Sequence, residues 1–222
     1  MKNFIERHTF LGNLARQRRA RRFKKKYEAW LNEGAVLPMP HYGKQMVVKE
    51  YAETFRPEVF IETGTYTGHM VYAMLDQFKE IYSIELDRCF MKKAKKKYAG
   101  YDYVHIIHGQ SGERLRKILK NLNKSCLFWL DAHWSGGATA RGNLETPIIQ
   151  ELETILNHQN AANHILLIDD ARCFTGENDY PSLDTLKSFV LHIRPSWIFQ
   201  VKDDIIRTHS DHLGKGIIPF HK

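Results

Sequence analysis

Residues 59–68 read VFIETGTYTG, and this stretch decides the fold. An apolar run ends in an acid and passes into a turn with two glycines and three threonines. The apolar run predicts a buried β-strand, and the segment after the turn, HMVYAMLDQF, predicts a helix. A strand that passes directly into a helix is the repeating unit of a parallel sheet. In such sheets ligands bind at the carboxyl ends of the strands, so this turn is the first candidate site.

The same alternation continues along the chain. The apolar runs predict strands at 57–63, 80–86, 103–109, 125–133 and 164–171, and 197–209 predicts a closing hairpin. The amphipathic segments predict helices at 44–55, 69–78, 88–100, 113–122, 146–159 and 182–193. The predicted fold class is therefore α/β, a doubly wound, mainly parallel Rossmann-like sheet with a C-terminal antiparallel hairpin.

Charge divides the chain into two predicted parts. Residues 1–33 hold ten Lys or Arg against three Glu, which is about +7 of the net +8 of all 222 residues. We predict a basic helical N-terminal arm over 1–36 and one folded domain over 37–222. Attraction to nucleic acid or to an anionic membrane would belong to the arm.

The cysteines and the apolar runs predict the location. The three cysteines are far apart and form no C-x-x-C pair, which suits a reducing compartment and argues against a structural zinc site. No apolar run reaches the length of a membrane span or has the form of a signal peptide. We predict a cytoplasmic protein.

The spacing in the first turn is Glu62-x-Gly64-x-Tyr66-x-Gly68. It lacks the G-x-G-x-x-G of dinucleotide sites, in which the middle glycine lets the backbone approach a pyrophosphate. Glu85 ends the second predicted strand and can accept the two hydroxyls of a ribose. The pattern predicts a nucleoside ligand without a diphosphate. In the alternative, Glu62 caps a helix and Glu85 is a solvated strand end.

A second group of polar residues follows the fourth and fifth strands. Asp131 and His133 end the fourth, and Asp169 and Asp170 end the fifth. If these strands are neighbours, three carboxylates converge and repel one another unless a cation or protons compensate, and Mg²⁺ is the simplest choice of cation. Three alternatives remain open: the aspartate pair caps a turn, His133 is a buried structural histidine, or Asp131 contacts only the cofactor amine.

These motifs resemble the class I S-adenosylmethionine-dependent methyltransferases over about residues 40–208. The aromatic residue in the first motif is similar to the macrocin O-methyltransferase type, a branch of metal-dependent sugar O-methyltransferases. The resemblance implies that Glu85 binds the cofactor ribose and that Gln110 or Ser111 meets the adenine. It implies that the methionine part is held by Glu62, Thr63, Gly64, Thr65, Tyr66, Thr67 and Gly68.

The same resemblance implies the catalytic residues. Asp131, Asp169 and Asp170 would bind Mg²⁺, with Asp131 also at the cofactor. His133 falls where the family has an acidic base, and neutral imidazole can take a proton from a hydroxyl near pH 7. Arg141, Arg172 and Lys44 are further candidates for contact with the acceptor.

The predicted function is Mg²⁺-assisted methylation of a hydroxyl on a small molecule, a sugar or glycosylated metabolite, by a homo-oligomer. One alternative is a nucleic-acid methyltransferase that uses the basic arm, although LDAH stands where many amino methyltransferases have N-P-P-Y/F. Another is a non-catalytic protein whose arm docks on a membrane or a subunit. A hydroxylase relative would prefer two histidines and one carboxylate around iron.

Overall fold

The structure is a computed structural model that describes residues 18, 21–132 and 146–213. The chain divides into two compact units between Val47 and Val48. In the first unit, residues 21–32 form a helix, α1, and its arginines and lysines are exposed. The arm over 1–36 as a domain of its own stays a prediction. Of the helices in the described ranges, none is long and apolar enough to cross a membrane.

Seven strands form one sheet in the order β3-β2-β1-β4-β5-β7-β6. The first five strands are parallel, and β7 and β6 add antiparallel to β5, as predicted. The strands are β1 (Val59–Thr63), β2 (Ile81–Glu85), β3 (Val104–His108), β4 (Cys126–Leu130), β5 (Ile165–Ile168), β6 (Trp197–Lys202) and β7 (Ile205–Ser210).

Six further helices are described. They are α2 (His41–Phe55), α3 (His69–Met74), α4 (Arg88–Tyr98), α5 (Ser111–Leu119), α6 (Ile148–Leu156) and α7 (Leu183–Ile193). The prediction placed α3 over 69–78, but the chain turns after Met74, whose carbonyl accepts hydrogen bonds from the amides of Gln77 and Phe78. It placed the start of α5 at 113, whereas Ser111 already begins the helix.

The buried sheet positions the ends of β1 and β4 side by side. Every residue of these two strands is buried, and their register pairs Thr63 with Leu130. Apolar side chains of both strands pack against α5, α6 and α7 in one core. Strand order reverses between β1 and β4, because β2 and β3 lie on one side and β5 on the other. This reversal places a crevice at the carboxyl ends of β1 and β4.

Helix α4 carries a basic surface on the second unit. Asp87 caps its N-terminus by accepting the amides of Cys89 and Phe90. Its five lysines are all exposed, and the helix contains no acidic residue. Residues 34–222 together carry only about +1, the part of the net +8 that lies outside residues 1–33, yet this one helix is strongly basic.

Candidate functional site

The turn after β1 requires its glycines. Gly64 has φ +89°, and a Cβ atom there would stand 2.6 Å from the backbone oxygen of Asp131. Gly68 has φ +69°, and its Cβ would approach the ring of Tyr98 to 3.0 Å. Tyr66 between them also has a positive φ of 46°. A side chain at Gly64 would therefore clash with backbone, one at Gly68 would press on the Tyr98 ring, and the turn lies directly against the end of β4.

Glu85 is held in one orientation by backbone amides. Its Oε2 accepts the N–H of Tyr66 at 2.6 Å, and its Oε1 accepts that of Asp87 at 2.7 Å. Burial raises the pKa of this carboxyl, and the two backbone hydrogen bonds act in the opposite direction. Each carboxylate oxygen keeps a second lone pair, so Glu85 can still accept hydroxyl donors. Because it is buried and bonded in this way, the alternative of a solvated strand end is wrong.

Glu62 belongs to a buried network below the turn. Ser83 donates its hydroxyl to Glu62 Oε2 at 2.5 Å, and Thr65 Oγ1 lies 2.5 Å from the same Ser83 oxygen. Burial raises the pKa of Glu62 well above its usual value, and the carboxylates of Asp131 and Glu85 raise it further. The residue that caps α3 is Gly68, so the alternative in which Glu62 caps the helix is wrong.

Three carboxylates converge at the ends of β4 and β5. Asp131, Asp169 and Asp170 each offer an oxygen, and these oxygens lie within 4.8 Å of one another. Strand pairing brings them together: Asp131 N donates to Thr63 O at 3.1 Å, and Asp169 N donates to Leu130 O at 3.0 Å. The predicted neighbourhood of the two strands is confirmed.

The backbone of Asp170 adopts a left-handed conformation, with φ 54° and ψ 51°. Its amide donates to Asp169 Oδ1 at 2.8 Å, and its side chain makes no capping hydrogen bond to the following turn, Ala171–Cys173. Asp170 is therefore the N-cap residue of this turn but does not cap it with its side chain, and the capping alternative stays open for Asp169, whose Oδ1 accepts the Asp170 amide. Left-handed non-glycine residues cluster at functional sites, where the surrounding structure holds the strain.

The oxygen cluster fits a hard divalent cation. Within the described part of the chain the group consists of carboxylates alone, the ligand type that Mg²⁺ and Ca²⁺ prefer. Three negative charges at this distance require compensation, and Arg172 supplies one positive charge through a 2.8 Å contact with Asp170 Oδ1. The Arg172 guanidinium also binds Asp204, so its contact with an acceptor stays a prediction.

Sequence reasoning missed Glu151. It lies on the apolar face of α6, is 1% exposed, and has Oε1 without a hydrogen-bond partner among the described residues. Burial raises its pKa to about 7; the hydroxyls of Ser111 and Thr63 lower it, and the charge of Asp131 raises it. The sequence does contain a signal that identifies Glu151 as a candidate, because an acidic residue stands at a core-facing position of an amphipathic helix.

The remaining predicted residues are only partly placed. Gln110 precedes α5 as its N-cap residue, and Ser111 is buried beside Glu151. The carbonyl of Thr67 accepts the Lys97 ammonium at 2.9 Å. Lys44 lies in α2 within the first unit. His133 and Arg141 lie outside the described residues, so the roles predicted for them stay predictions.

Comparison with solved structures shows the methyltransferase fold. The S-adenosylhomocysteine-bound methyltransferase PaMTH1 of Podospora anserina matches with a TM-score of 0.53 and 20% identity, over 86% of this chain and 87% of its own. The O-methyltransferase TomG of Streptomyces achromogenes, in complex with S-adenosylmethionine, matches with a TM-score of 0.53 and 14% identity, over 84% and 87%.

A third similar structure is an O-methyltransferase of Bacillus cereus in complex with S-adenosylhomocysteine. It matches with a TM-score of 0.54 and 13% identity, over 81% of this chain and 86% of its own. No protein-family model and no curated protein sequence matches the chain. The macrocin-type branch stays a prediction.

Proposed function

We propose that this protein is an S-adenosylmethionine-dependent O-methyltransferase that uses a divalent cation, Mg²⁺, and methylates a hydroxyl of a sugar or glycosylated metabolite. The observation that carries the proposal is the placement of the three-aspartate cluster directly against the glycine turn. The Gly64 position and the Asp131 backbone are in close contact, so a nucleoside held by the turn and an alcohol held at the aspartates would be neighbours.

Each part of the site has a role in this proposal. Glu85, oriented by two amides, receives the ribose hydroxyls, and the turn from Glu62 to Gly68 holds the methionine part. S-Adenosylmethionine supplies an electrophilic methyl group, and Mg²⁺ lowers the pKa of a hydroxyl that it binds. Asp131, Asp169 and Asp170 would hold that cation beside the turn, and His133 would take the proton that the acceptor oxygen loses. Holding the acceptor oxygen beside the methyl group supplies much of the rate gain.

Calorimetric titration with S-adenosylhomocysteine tests the cofactor. We expect micromolar binding by the wild type and a loss of at least about tenfold in Glu85→Ala, since two charge-assisted hydrogen bonds to the ribose disappear. Glu53→Ala removes the same charge from an exposed position of α2 and serves as the control. Absence of wild-type binding up to about a millimolar, an affinity of about 4 kcal/mol, would remove the methyltransferase proposal.

Titration with Mn²⁺, which has the same ligand preferences as Mg²⁺ and is detected by electron paramagnetic resonance, tests the cation. We expect one site in the wild type and none in Asp169→Asn. If both proteins bind S-adenosylhomocysteine but neither binds Mn²⁺, the reaction is metal-free, with Asp131 at the cofactor only. A screen of hydroxylated acceptors, with S-adenosylhomocysteine release as the readout, then identifies the substrate.

A further inference from the structure

The turn between β6 and β7 is unusual in composition and burial. Asp203 and Asp204 alone connect the two strands, and both have positive φ, 54° and 63°. Two-residue turns of this kind favour Asn-Gly or Gly-Gly, because glycine adopts positive φ without strain. Hairpin turns are normally exposed, yet Asp204 is only 4% exposed. An acid is thus kept at a buried position where glycine would be favoured.

Asp204 attaches this turn to the segment that follows the aspartate pair. Its backbone oxygen accepts the amide of Ala171 at 2.8 Å, and its Oδ1 accepts the amide of Arg172 at 2.8 Å. Its Oδ2 accepts the Arg172 guanidinium. Three hydrogen bonds therefore tie the hairpin to the two residues after Asp170.

The guanidinium of Arg172 is shared between two carboxylates. The same Nη1 atom that contacts Asp204 also donates to Asp170 Oδ1 at 2.8 Å. An arginine guanidinium is charged at any pH at which the protein is folded, so both contacts are ion pairs. Without Asp204, this positive charge would have Asp170 as its carboxylate partner and would compete directly with a cation for it.

We propose that Asp204 is a positioning residue for the cation site: it shares the Arg172 guanidinium with Asp170 and thereby weakens the competition of that guanidinium with a divalent ion for Asp170. The inference rests on the proposed function, because it concerns the same aspartate cluster. Residues that orient metal ligands through hydrogen bonds are worth about 10–100-fold in metal affinity. Asp204 acts through Arg172 and does not itself join the three-oxygen group.

The test is a double-mutant cycle read by Mn²⁺ affinity, without turnover. Asp204→Asn keeps an oxygen for the Arg172 amide and tolerates positive φ, but it loses the charge that holds the guanidinium. We expect Mn²⁺ binding to weaken about tenfold or more. In the Arg172→Gln background the competing cation is gone, so the same substitution should change Mn²⁺ affinity by less than about twofold.

Asp203→Asn is the matched control, since it removes the same charge from the adjacent position, where the carboxylate contacts Arg207 instead. It should leave Mn²⁺ affinity within about twofold of the wild type. If Asp204→Asn does not fold, as judged by its thermal midpoint, Asp204→Gly replaces it, because glycine suits the turn.

The inference is overturned if Asp204→Asn binds Mn²⁺ as the wild type does, if Asp203→Asn loses as much affinity, or if the loss persists in the Arg172→Gln background. A wild type that binds S-adenosylhomocysteine but no Mn²⁺ would instead remove the cation from the proposed function. The two failures are therefore distinguishable.

Discussion

The backbones of Gly64 and Asp131 are in contact, such that a Cβ atom on Gly64 would lie 2.6 Å from the Asp131 carbonyl oxygen. The amide of Asp131 also donates to Thr63 O, the residue before Gly64. The glycine turn after β1 and the first residue after β4 therefore form one continuous surface. A change in either part is expected to displace the other.

Gly64→Ala should destabilise the protein by about 2–4 kcal/mol, because it adds a clash with backbone to a positive-φ strain. S-Adenosylhomocysteine affinity should fall as well, since the turn must move away from Asp131. Urea unfolding and calorimetry measure the two effects. Gly100→Ala is the control: a Cβ there meets nothing within 4 Å, so stability should change by less than about 0.5 kcal/mol.

The buried carboxyl of Glu151 makes stability fall as pH rises. Its folded pKa is about 7, above its ordinary value of 4.5. Between these two values the unfolded state binds fewer protons than the folded state, so the free energy of unfolding decreases with rising pH. We predict that Glu151→Gln, which mimics the protonated form, becomes more stable than the wild type by up to about 3 kcal/mol at pH 8.

Urea unfolding at pH 5 and pH 8 with a metal chelator present measures this difference. Glu153→Gln on the exposed side of the same helix is the control and should change stability little at either pH. Equal stability of Glu151→Gln and wild type at both pH values would contradict the burial of an ionisable carboxyl at this position.

Two histidines form a hydrogen-bonded chain at the opposite end of the sheet. The amide of Cys126 donates to His164 Nδ1 at 3.3 Å, so His164 Nε2 carries the proton and donates to His158 Nδ1 at 2.9 Å. His158 Nε2 then donates to Leu119 O at 3.1 Å. Each of the four ring nitrogens takes part in a hydrogen bond, and this pattern of donors and acceptors requires both imidazoles to be neutral.

Acid should therefore destabilise the protein through His164. Burial, with help from His158 and Arg194, lowers the pKa of His164 from 6.5 to about 3. Below pH 6.5 the unfolded imidazole takes a proton that the folded one refuses, so stability is lost progressively as the pH falls toward 3. In His164→Asn the loss of stability between pH 7 and pH 4 should be smaller, as thermal unfolding would show.

His192→Asn, at an exposed position of α7, is the matched substitution and should retain the wild-type acid dependence. An unchanged pH profile in His164→Asn would mean that His164 does not contribute to the loss of stability in acid.

Local pattern was sufficient to predict the parallel strands and the acids at their ends. The apolar runs at 59–61 and 126–130 are short and bounded by polar residues, so their burial follows directly from their composition. Glu85 was recognisable because a glycine turn and a later acid stand at a spacing imposed by one strand–helix–strand unit. The closing hairpin was also predicted, since two β-rich runs flank Asp203 and Asp204.

The contacts that the sequence did not reveal are those set by packing between distant elements. Glu151 approaches Ser111 because α6 packs beside α5, which begins at Ser111. Asp204 meets Arg172, 32 positions earlier, because β7 pairs with β5. Periodicity describes one element at a time and carries no information on such pairings.

The order of the last two strands has a consequence for how the chain folds during synthesis. β6 is made before β7, yet β7 separates it from the rest of the sheet. β6 therefore has no strand partner until residues 205–210 have been made, and it is joined to the rest of the sheet only through β7. Asp204 lies at the tip of the β6–β7 hairpin. A nascent chain that has completed its five parallel strands therefore still lacks the contacts of Asp204 with Ala171 and Arg172, beside the aspartate cluster.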